Sequence, residues 1–276
     1  MIVAGIDVGG KNVHIVIKKD GQILGKVSGP SGIKKAESVE QLYDEVLKKT
    51  GLTRKDVERV VATGSAAKRV AFANGAIPDA AADAQGVVKL IPTARTVIDV
   101  GAEEGRSIKI SPEGEVLDFA INEKCAAGTG TFIEAMSRAL EVSVEEMSKI
   151  TLQSTQTLST NAQCAVFGES EVVSLIHQKT PKPDIARAVM NAIAGRIASV
   201  ARIVGLEKDV VMVGGMAKNA GFIDSLKNNI EMDVLVPEDP DYMGALGAAE
   251  VAAAGIYTEE VKAKVAERET VSEGKG

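Results

Sequence analysis

The sequence predicts a mixed α/β fold of two lobes, because a hairpin with the same Asp-Val-Gly bend occurs twice. The first bend begins at Asp7 and the second at Asp99, and each follows a short apolar run. A third glycine turn, Gly214-Gly215, follows another apolar run. The chain has 276 residues, of which 45% are hydrophobic and 25% charged, so it can bury two cores. We expect lobe I to comprise residues 1–95 and 243–276, and lobe II to comprise residues 96–242.

Lobe I is predicted to contain four strands before an alanine-rich helical region. Alternating apolar residues such as Val13, Ile15 and Ile17 indicate strands. Apolar residues at helical spacing, ended by Gly51, indicate a helix between the third and fourth strands. Residues 65–91 carry no strong strand signal and are expected to be helical. The strands are expected near residues 2–8, 13–17, 22–28 and 57–63, and the helix near residues 38–50.

Lobe II is predicted to repeat this order. A strand ends at Val100, and the polar residues 102–106 form the bend before its return strand. Pro181 and Pro183 separate two of the following helices, and Asp184 can cap the second of them. The final segment is predicted to be a loop followed by a close-packed helix of small residues. The strands are expected near residues 96–100, 107–111, 116–120, 210–213 and 234–237, and the helices near residues 131–140, 144–150, 164–178 and 184–204.

The composition argues against a nucleic-acid or membrane function. The net charge is −6, and the chain has three Tyr and no Trp, whereas nucleic-acid surfaces carry basic stripes and stacking aromatics. No apolar run reaches the roughly 18 residues of a membrane helix. The strand-like N-terminus, MIVAGIDVGG, does not resemble a signal segment. We therefore expect a cytoplasmic protein.

The glycines of the two hairpins are candidate phosphate-binding residues. Glycine at a hairpin tip exposes backbone N–H groups and lets a phosphate approach closely. Asp7 and Asp99 stand just before the bends, where each could orient a magnesium-bound water. One such element alone is also typical of an ordinary acidic glycine turn, but three of them in this order favour a nucleotide. The predicted cofactor-binding residues are Gly9, Gly10, Lys11, Asn12, Gly101, Gly214, Gly215 and Lys218.

The two cysteines of the chain, Cys125 and Cys164, each lie in a stretch of small residues that is predicted to lead into a helix. A helix N-terminus favours an anionic thiolate, which is the form that binds metals. Two thiolates are half of the usual ligand set of a cubane iron-sulfur cluster or a closed zinc site. A second subunit could supply the other half, while redox thiols and buried core cysteines are the alternatives.

Together these segments resemble the actin and sugar-kinase superfamily of ATPases, whose fold is two-lobed and ribonuclease H-like. Residues 6–17 resemble its phosphate loop one, residues 97–108 its phosphate loop two and residues 210–219 its adenosine loop. Within it, CAAGTGTFIE at Cys125 and NAQCAVFGESEVVSL at Cys164 resemble the BadF/BadG/BcrA/BcrD ATPase family. That family comprises activators of 2-hydroxyacyl-CoA dehydratases and ATPase subunits of benzoyl-CoA reductases.

The resemblance implies an ATP-driven electron donor. It implies a dimer in which each subunit contributes Cys125 and Cys164 to one bridging 4Fe-4S cluster. ATP, bound with Mg²⁺ between the lobes and hydrolysed to ADP, then drives an electron from a ferredoxin-like source to an iron-sulfur enzyme that acts on a CoA thioester. The implied catalytic residues are Asp7, Asp99 and Glu169, and both aspartates bind Mg²⁺ through water. Glu169 could instead complement the dipole of a helix start.

Phosphate loop two departs from the activator pattern. Residues 102–106 (AEEGR) follow Asp99-Val100-Gly101, where dehydratase activators usually carry Gly-Gln-Asp. The loop looks more like that of one of the two non-identical ATPase subunits of a benzoyl-CoA reductase, which implies a related partner chain. Arg106 is expected to offset the charge of the two glutamates. Two other functions share the fold, a small-molecule kinase and an actin-like scaffold, and His14 and His177 are expected to be packed or surface residues.

Overall fold

The structure is a computed structural model that describes residues 1–122, 129–156, 158 and 165–257. The predicted cluster ligands Cys125 and Cys164 lie outside the described residues. The strands are β1 (Ile2–Val8), β2 (Asn12–Lys19), β3 (Gln22–Pro30), β4 (Arg59–Thr63), β5 (Gly75–Ala76), β6 (Thr96–Val100), β7 (Gly105–Ile110), β8 (Val116–Ile121), β9 (Val210–Val213) and β10 (Val234–Leu235). The α-helices are α1 (Lys35–Thr50), α2 (Asp79–Leu90), α3 (Gly130–Ala139), α4 (Val144–Thr151), α5 (Ala165–His177), α6 (Lys182–Val204), α7 (Ala220–Ile230) and α8 (Met243–Ala254). No helix in the described ranges is long and apolar enough to cross a bilayer.

The first sheet has the strand order β3-β2-β1-β4-β5. β1 is antiparallel to β2 and parallel to β4, so a hairpin and a parallel crossover share the central strand. Alternation along β2 places Val13, Ile15 and Ile17 in one hydrophobic core with Tyr43 of α1. Tyr43 stacks on Phe72 with the ring centroids 4.7 Å apart. The apolar face predicted for the return strand is therefore a core face.

The second sheet, with the order β10-β9-β6-β7-β8, repeats this arrangement. β6 is antiparallel to β7 and parallel to β9, as β1 is to β2 and β4. Its core includes Phe132 of α3, Ile193 of α6 and Phe222 of α7. The mixed sheets flanked by helices are confirmed, and so is the internal repeat that the two Asp-Val-Gly bends predicted.

The chain divides into two compact units. The first contains Met1–Ala94, Ile110–Leu117 and the chain from Asp241 onward, and the second contains Arg95–Lys109 and Asp118–Pro240. The turn between β7 and β8 joins the first unit because Gln85 of α2 donates from Nε2 to the Gly114 carbonyl oxygen at 2.9 Å. The lobe boundaries drawn from the sequence, after residues 95 and 242, stay predictions.

The helix α8 packs closely on its neighbours because its residues are small. A Cβ on Gly86 of α2 would overlap the carbonyl oxygen of Met243. A Cβ on Gly5 of β1 would overlap the carbonyl oxygen of Ala245. The predicted close-packed helix of small residues is therefore present, and it brings Gly244 next to the end of β1.

Local differences from the predicted elements have physical reasons. Gly51 ends α1 in the left-handed conformation, with φ 70°, but α1 begins earlier than its apolar pattern suggested. In α6, Pro183 occupies the first turn, where a missing N–H is tolerated. Asp184 does not cap this helix and instead accepts hydrogen bonds from residues 154–156. The two-residue strand β5, inside the region predicted to be helical, is too short for a periodic pattern.

Candidate nucleotide-binding and metal site

Asp7 lies near the end of β1, where two backbone segments approach its carboxylate. A Cβ on Gly64, the residue after β4, would lie 2.5 Å from Asp7 Oδ1. A Cβ on Gly244 of α8 would lie 3.0 Å from Asp7 Oδ2. Gly64 also has a φ of 92°, which side-chain-bearing residues rarely adopt. The two glycines therefore leave the room that the carboxylate needs at the end of the strand.

The tip of phosphate loop one directs backbone N–H groups to one side. Ser31 donates from its N–H to the Lys11 carbonyl oxygen at 2.7 Å and from its hydroxyl to the Gly10 carbonyl oxygen at 2.8 Å. Lys35 donates from Nζ to the Gly9 carbonyl oxygen at 3.3 Å. Because a trans peptide points its N–H opposite to its carbonyl, the N–H groups of Gly10 and Lys11 face away from these donors. Successive N–H groups oriented in this way can bind an anion.

Phosphate loop two has the same hairpin geometry with an added charge cluster. Asp99 lies opposite Arg106 in the ladder of β6 and β7, and Arg106 Nε is 3.5 Å from Asp99 Oδ2. Arg106 also donates from Nη2 to Glu104 Oε2 at 2.9 Å. The N–H of Gly101 donates to the Glu104 carbonyl oxygen at 2.9 Å and closes the bend. Arg106 thus offsets the charge of Glu104, one of the two glutamates for which the sequence predicted this role.

Gly214, in the predicted adenosine loop, packs on Asp99 as Gly64 packs on Asp7. Its φ is 80°, and a Cβ at this position would overlap Asp99 Oδ1. The same Cβ would lie 2.6 Å from the Val100 carbonyl oxygen. Gly215 begins a 3₁₀ helix, and a Cβ there would meet no described atom within 4 Å. Of this predicted pair, Gly214 is the glycine that the packing requires.

The N-terminus of α3 is hydrogen-bonded directly to phosphate loop two. Gly130 donates from its N–H to the Gly101 carbonyl oxygen at 2.9 Å. Thr131 donates to the Ala102 carbonyl oxygen from its N–H at 3.0 Å and from its hydroxyl at 2.6 Å. The first N–H groups of a helix have no partner inside it, and here they find acceptors in the loop. A displacement of this loop would therefore be felt at the start of α3.

The helices that follow the two cysteines in sequence pack against each other near their N-termini. A Cβ on Gly168 of α5 would lie 2.9 Å from Phe132 Cζ and 3.1 Å from Met136 Sδ of α3. Cys164 is the residue before α5, and Cys125 stands shortly before α3. The predicted helices near residues 131–140 and 164–178 are confirmed; α5 begins directly after Cys164, and α3 begins a few residues after Cys125.

The remaining predicted site residues are exposed on these same elements. Lys11 and Asn12 are exposed at the tip of phosphate loop one, and Lys218 is exposed at the end of its 3₁₀ helix. Glu169 is exposed near the start of α5. The first unit contains Asp7, Gly9, Gly10, Lys11 and Asn12, and the second contains Asp99, Gly101, Glu169, Gly214, Gly215 and Lys218.

The contacts of two polar residues in the first unit were not predicted from the sequence. His14 is packed, as predicted, but its Nε2 lies 3.3 Å from Asp241 Oδ2, and its ring meets the Tyr242 ring edge-on at 5.0 Å. Asp83 of α2 is only 6% exposed, and its Oδ1 would lie 3.5 Å from a Cβ on Gly244. An acid within an alanine-rich helix carries no local signal, so only the packing of α2 on α8 places Asp83 near Asp7.

The described residues do not form a metal cage by themselves. Within residues 1–122, 129–156, 158 and 165–257, no group of three or more His, Cys, Asp or Glu could hold a metal ion. The predicted Mg²⁺ ligands Asp7 and Asp99 belong to different units. Mg²⁺ usually keeps several waters and binds one or two carboxylates together with substrate phosphates. Single carboxylates therefore fit a metal that arrives with a nucleotide.

Asp184 of α6 holds the described end of the segment that leads to Cys164. Its Oδ1 accepts hydrogen bonds from the Ser154 hydroxyl at 2.7 Å and from the N–H groups of Thr155 and Gln156 at 3.0 and 3.2 Å. These bonds, that of the Ser154 hydroxyl most of all, lower the pKa of Asp184 because they stabilise its ionised form. The carboxylate is therefore charged wherever the fold is intact near neutral pH.

The fold and these loops define an actin-like ATPase class of protein, with a glycine-tipped hairpin in each of two similar mixed sheets. The sequence profile of the BadF/BadG/BcrA/BcrD ATPase family matches residues 4–252. The chain therefore belongs to the BadF/BadG/BcrA/BcrD ATPase family.

Its relatives include dehydratase activators and one component of a benzoyl-CoA reductase. The activator of lactoyl-CoA dehydratase from Anaerotignum propionicum is 38% identical over 255 residues, covering 90% of this chain and 96% of the relative. The benzoyl-CoA reductase component, from Thauera aromatica, is 32% identical over 216 residues, 76% of each chain. The solved activator of 2-hydroxyisocaproyl-CoA dehydratase from Clostridium difficile, with bound ADPNP, has a TM-score of 0.86 at 33% identity and covers 97% of this chain and 98% of that one. By identity, the lactoyl-CoA dehydratase activator is more similar than the reductase component, although residues 102–106 suggested the reverse.

Proposed function

We propose that this protein is an ATP-hydrolysing electron donor that activates an iron-sulfur dehydratase or reductase acting on a CoA thioester. Membership of the ATPase family and the similarity to an activator with bound ADPNP support the use of ATP. The names of the relatives support the kind of partner. The higher identity to the lactoyl-CoA dehydratase activator favours a 2-hydroxyacyl-CoA dehydratase as the acceptor.

ATP is the substrate in this proposal, and both phosphate loops bind its phosphates. The N–H groups of Gly10 and Lys11 donate to phosphate oxygens, and the Gly214-Gly215 turn lets the adenosine approach the backbone. Asp7 and Asp99 hold waters of Mg²⁺, which when bound neutralises charge on the phosphates. In hydrolysis a water oxygen bonds to the γ-phosphorus while the bond between the γ-phosphorus and the β,γ-bridging oxygen breaks. ADP and phosphate then leave. Glu169 is proposed to orient that water.

The observation that carries the proposal is the hydrogen bonding between phosphate loop two and α3. Gly101 and Ala102 accept from the first two residues of the helix that follows Cys125. A γ-phosphate that orders the loop fixes these acceptors, and its release after hydrolysis frees them. The start of α3 then changes position together with the loop. ATP hydrolysis is thereby coupled to the helix that stands next to the proposed metal ligand.

Cys125 and Cys164 are proposed to supply half of the ligands of one 4Fe-4S cluster. They precede α3 and α5, which contact each other near their N-termini at Phe132 and Gly168. This contact supports the proposal that the two cysteines lie close together. The dipoles of the two helix starts stabilise thiolate charge. The cluster, when bound, supplies a one-electron donor.

A second subunit is proposed to supply the other two thiolates. On α5, the side chains of Phe167, Val173 and Ile176 are 69%, 44% and 38% exposed. Exposed apolar side chains on the helix that begins after Cys164 are suited to an interface between subunits. The other subunit is a second copy of the chain or a related ATPase subunit. A ferredoxin-like protein is the proposed electron source, and the cytoplasm the proposed compartment.

Anaerobic purification tests the cluster assignment. The wild-type protein is expected to be coloured and to hold about two iron atoms per chain, half of a four-iron cluster. Cys125→Ala and Cys164→Ala should each lose most of this iron while they retain binding of an ATP analogue, because neither residue lies in a phosphate loop. A colourless wild-type protein without iron would contradict the assignment.

Thr131→Val tests the coupling between loop and helix. It keeps the shape of the side chain but removes the hydroxyl that donates to Ala102 at 2.6 Å. We expect ATP hydrolysis to continue while fewer electrons pass from the reduced protein to a one-electron dye per ATP hydrolysed. Thr131→Ser keeps the hydroxyl and is the matched control. An unchanged electron yield in Thr131→Val would contradict a role of the hydroxyl bond in the coupling.

A further inference from the structure

The first unit contains a cavity of about 870 Å³ that the proposed function does not use. It is lined by the start of α1, by the turn after β4 with the 3₁₀ helix Ala67–Arg69, and by residues 76–78. None of its lining residues, all of which lie in the described ranges, belongs to the predicted nucleotide or cluster set. The cavity is a concave surface of this unit that adjoins the Asp7 carboxylate at Gly64.

Most of the charged side chains that line this cavity are basic. Lys34, Lys35, Lys68 and Arg69 line it, and the acid among the lining residues is Glu37. Glu37 is already paired, because its Oε1 accepts from Lys34 Nζ at 2.8 Å. The whole chain has a net charge of −6, so the cavity has a local charge of the opposite sign. Positive charge gathered in a concave site raises the local concentration of anions.

Two of these cations are available to a ligand. Lys68 and Arg69 are exposed, and neither has a carboxylate at ion-pair distance within the described residues. The exposed hydroxyl of Ser65, on the same turn, likewise makes no hydrogen bond to any described residue. An arginine, a lysine and a hydroxyl are the groups that typically bind phosphate oxygens. Ala66 and Ile77 add an apolar surface beside them.

We propose that this cavity binds a small phosphate-bearing metabolite. Lys68 and Arg69 contact its phosphate, and the side chains of Ala66 and Ile77 contact its organic part. The cavity volume is far larger than one phosphate needs, which favours an organic phosphate ester. Inorganic phosphate or pyrophosphate would make the charged contacts but not the apolar ones.

Lys35 connects this cavity to phosphate loop one. It lines the cavity, and its Nζ donates to the Gly9 carbonyl oxygen at 3.3 Å. A phosphate that draws Lys35 away removes one of the bonds that orient the loop, so the ligand should weaken ATP binding. This regulatory consequence rests on the proposed function, whereas binding of the phosphate compound does not.

Calorimetry with defined compounds tests the site. Fructose 1,6-bisphosphate, pyrophosphate and uncharged fructose are titrated into the protein while a non-hydrolysable ATP analogue saturates the nucleotide site. We expect the bisphosphate to bind more tightly than pyrophosphate, and fructose not to bind. The double variant Lys68→Ala/Arg69→Ala should weaken both phosphate compounds about tenfold or more, because each side chain makes a charge-assisted contact.

The matched control is the double variant Lys48→Ala/Lys55→Ala. Both lysines are exposed in the same unit but do not line the cavity, and Lys48 lies about 20 Å along α1 from Lys35. Equal weakening in the two double variants, or no binding of either phosphate compound, would overturn the site. Pyrophosphate binding as tight as that of the bisphosphate would overturn the organic ligand in favour of an inorganic one. If the protein contained no iron and transferred no electrons, the proposed function would be wrong, but the expected binding of the phosphate compounds would not change.

Discussion

At the residue scale, Gly64 and Gly214 have the same role in the two halves of the fold. Each follows a strand parallel to the central hairpin strand, has positive φ and lies against an aspartate, Asp7 or Asp99. A side chain at either position would collide with the carboxylate and with the backbone beyond it. The room around each acid therefore depends on a glycine contributed by a different strand.

Gly214→Ala is expected to destabilise the protein by about 1–3 kcal/mol, the cost of a left-handed conformation in a residue with a side chain. The added Cβ also has to displace Asp99 or the backbone at Val100. Denaturant unfolding measures the loss of stability, and titration with an ATP analogue measures the expected loss of affinity.

Gly215→Ala is the matched control for this change. A Cβ there meets no described atom within 4 Å, and its φ is not in the left-handed region. Its free energy of unfolding should stay close to that of the wild type. If the two variants were equally stable, the steric role given to Gly214 would be wrong.

At the element scale, α6 anchors the chain that approaches Cys164. Ser154, Thr155 and Gln156 all donate to the single oxygen Asp184 Oδ1 on the first turn of α6. The helix α5 begins on the other side of Cys164. One end of the cysteine segment is thus held by a carboxylate and the other by a helix.

Asp184→Asn should lower the melting temperature near neutral pH, because the ionised acceptor is lost. The hydrogen bonds lower the pKa of Asp184, so their stabilisation is present above the unfolded-state pKa of about 3.9 and is lost as pH falls through the lower folded value. Melting temperatures measured across acid pH should therefore converge for the variant and the wild type.

The exposed Asp233 supplies a control for this titration. Its side chain is 96% exposed, so Asp233→Asn should melt close to the wild type at neutral pH. A difference between Asp184→Asn and the wild type that persisted unchanged at the lowest pH would show that ionisation of Asp184 is not the cause.

At the scale of the whole molecule, the proposed cluster needs two chains, and α5 carries the surface suited to join them. Phe167 is 69% exposed near the start of α5. Ile203 is similarly exposed, at 73%, but it lies near the C-terminal end of α6, a helix that does not begin next to a cysteine. Substitutions of these two side chains can therefore distinguish a specific interface on α5 from a general effect of exposed apolar surface.

If the proposed dimer forms through α5, Phe167→Asp is expected to yield monomers and to lower the iron content, because a charge cannot be buried there without a partner. Ile203→Asp should leave both unchanged. Analytical ultracentrifugation and iron determination under anaerobic conditions give the two readouts. A Phe167→Asp protein that remained a dimer with full iron would place the subunit interface elsewhere.

Whether a feature of this structure could be predicted from the sequence depends on how far apart in sequence its interacting residues lie. The strands of the hairpin at Asp7, the helix ended by Gly51 and the helices after the cysteines were predicted because their signals lie within a few neighbouring residues. The bonds from Thr131 to Ala102 and from Ser154 to Asp184 were not predicted, because each joins residues far apart in sequence.

The amino-acid sequence by itself determined the class of fold, the family and the positions of the glycine turns, because these depend on local patterns and short motifs. Only the tertiary structure decided that phosphate loop two holds the start of α3, that Gly64 and Gly214 shape the two aspartate sites, and that four cations line one cavity. Such features arise when separate segments pack together, and no local pattern encodes which segments meet.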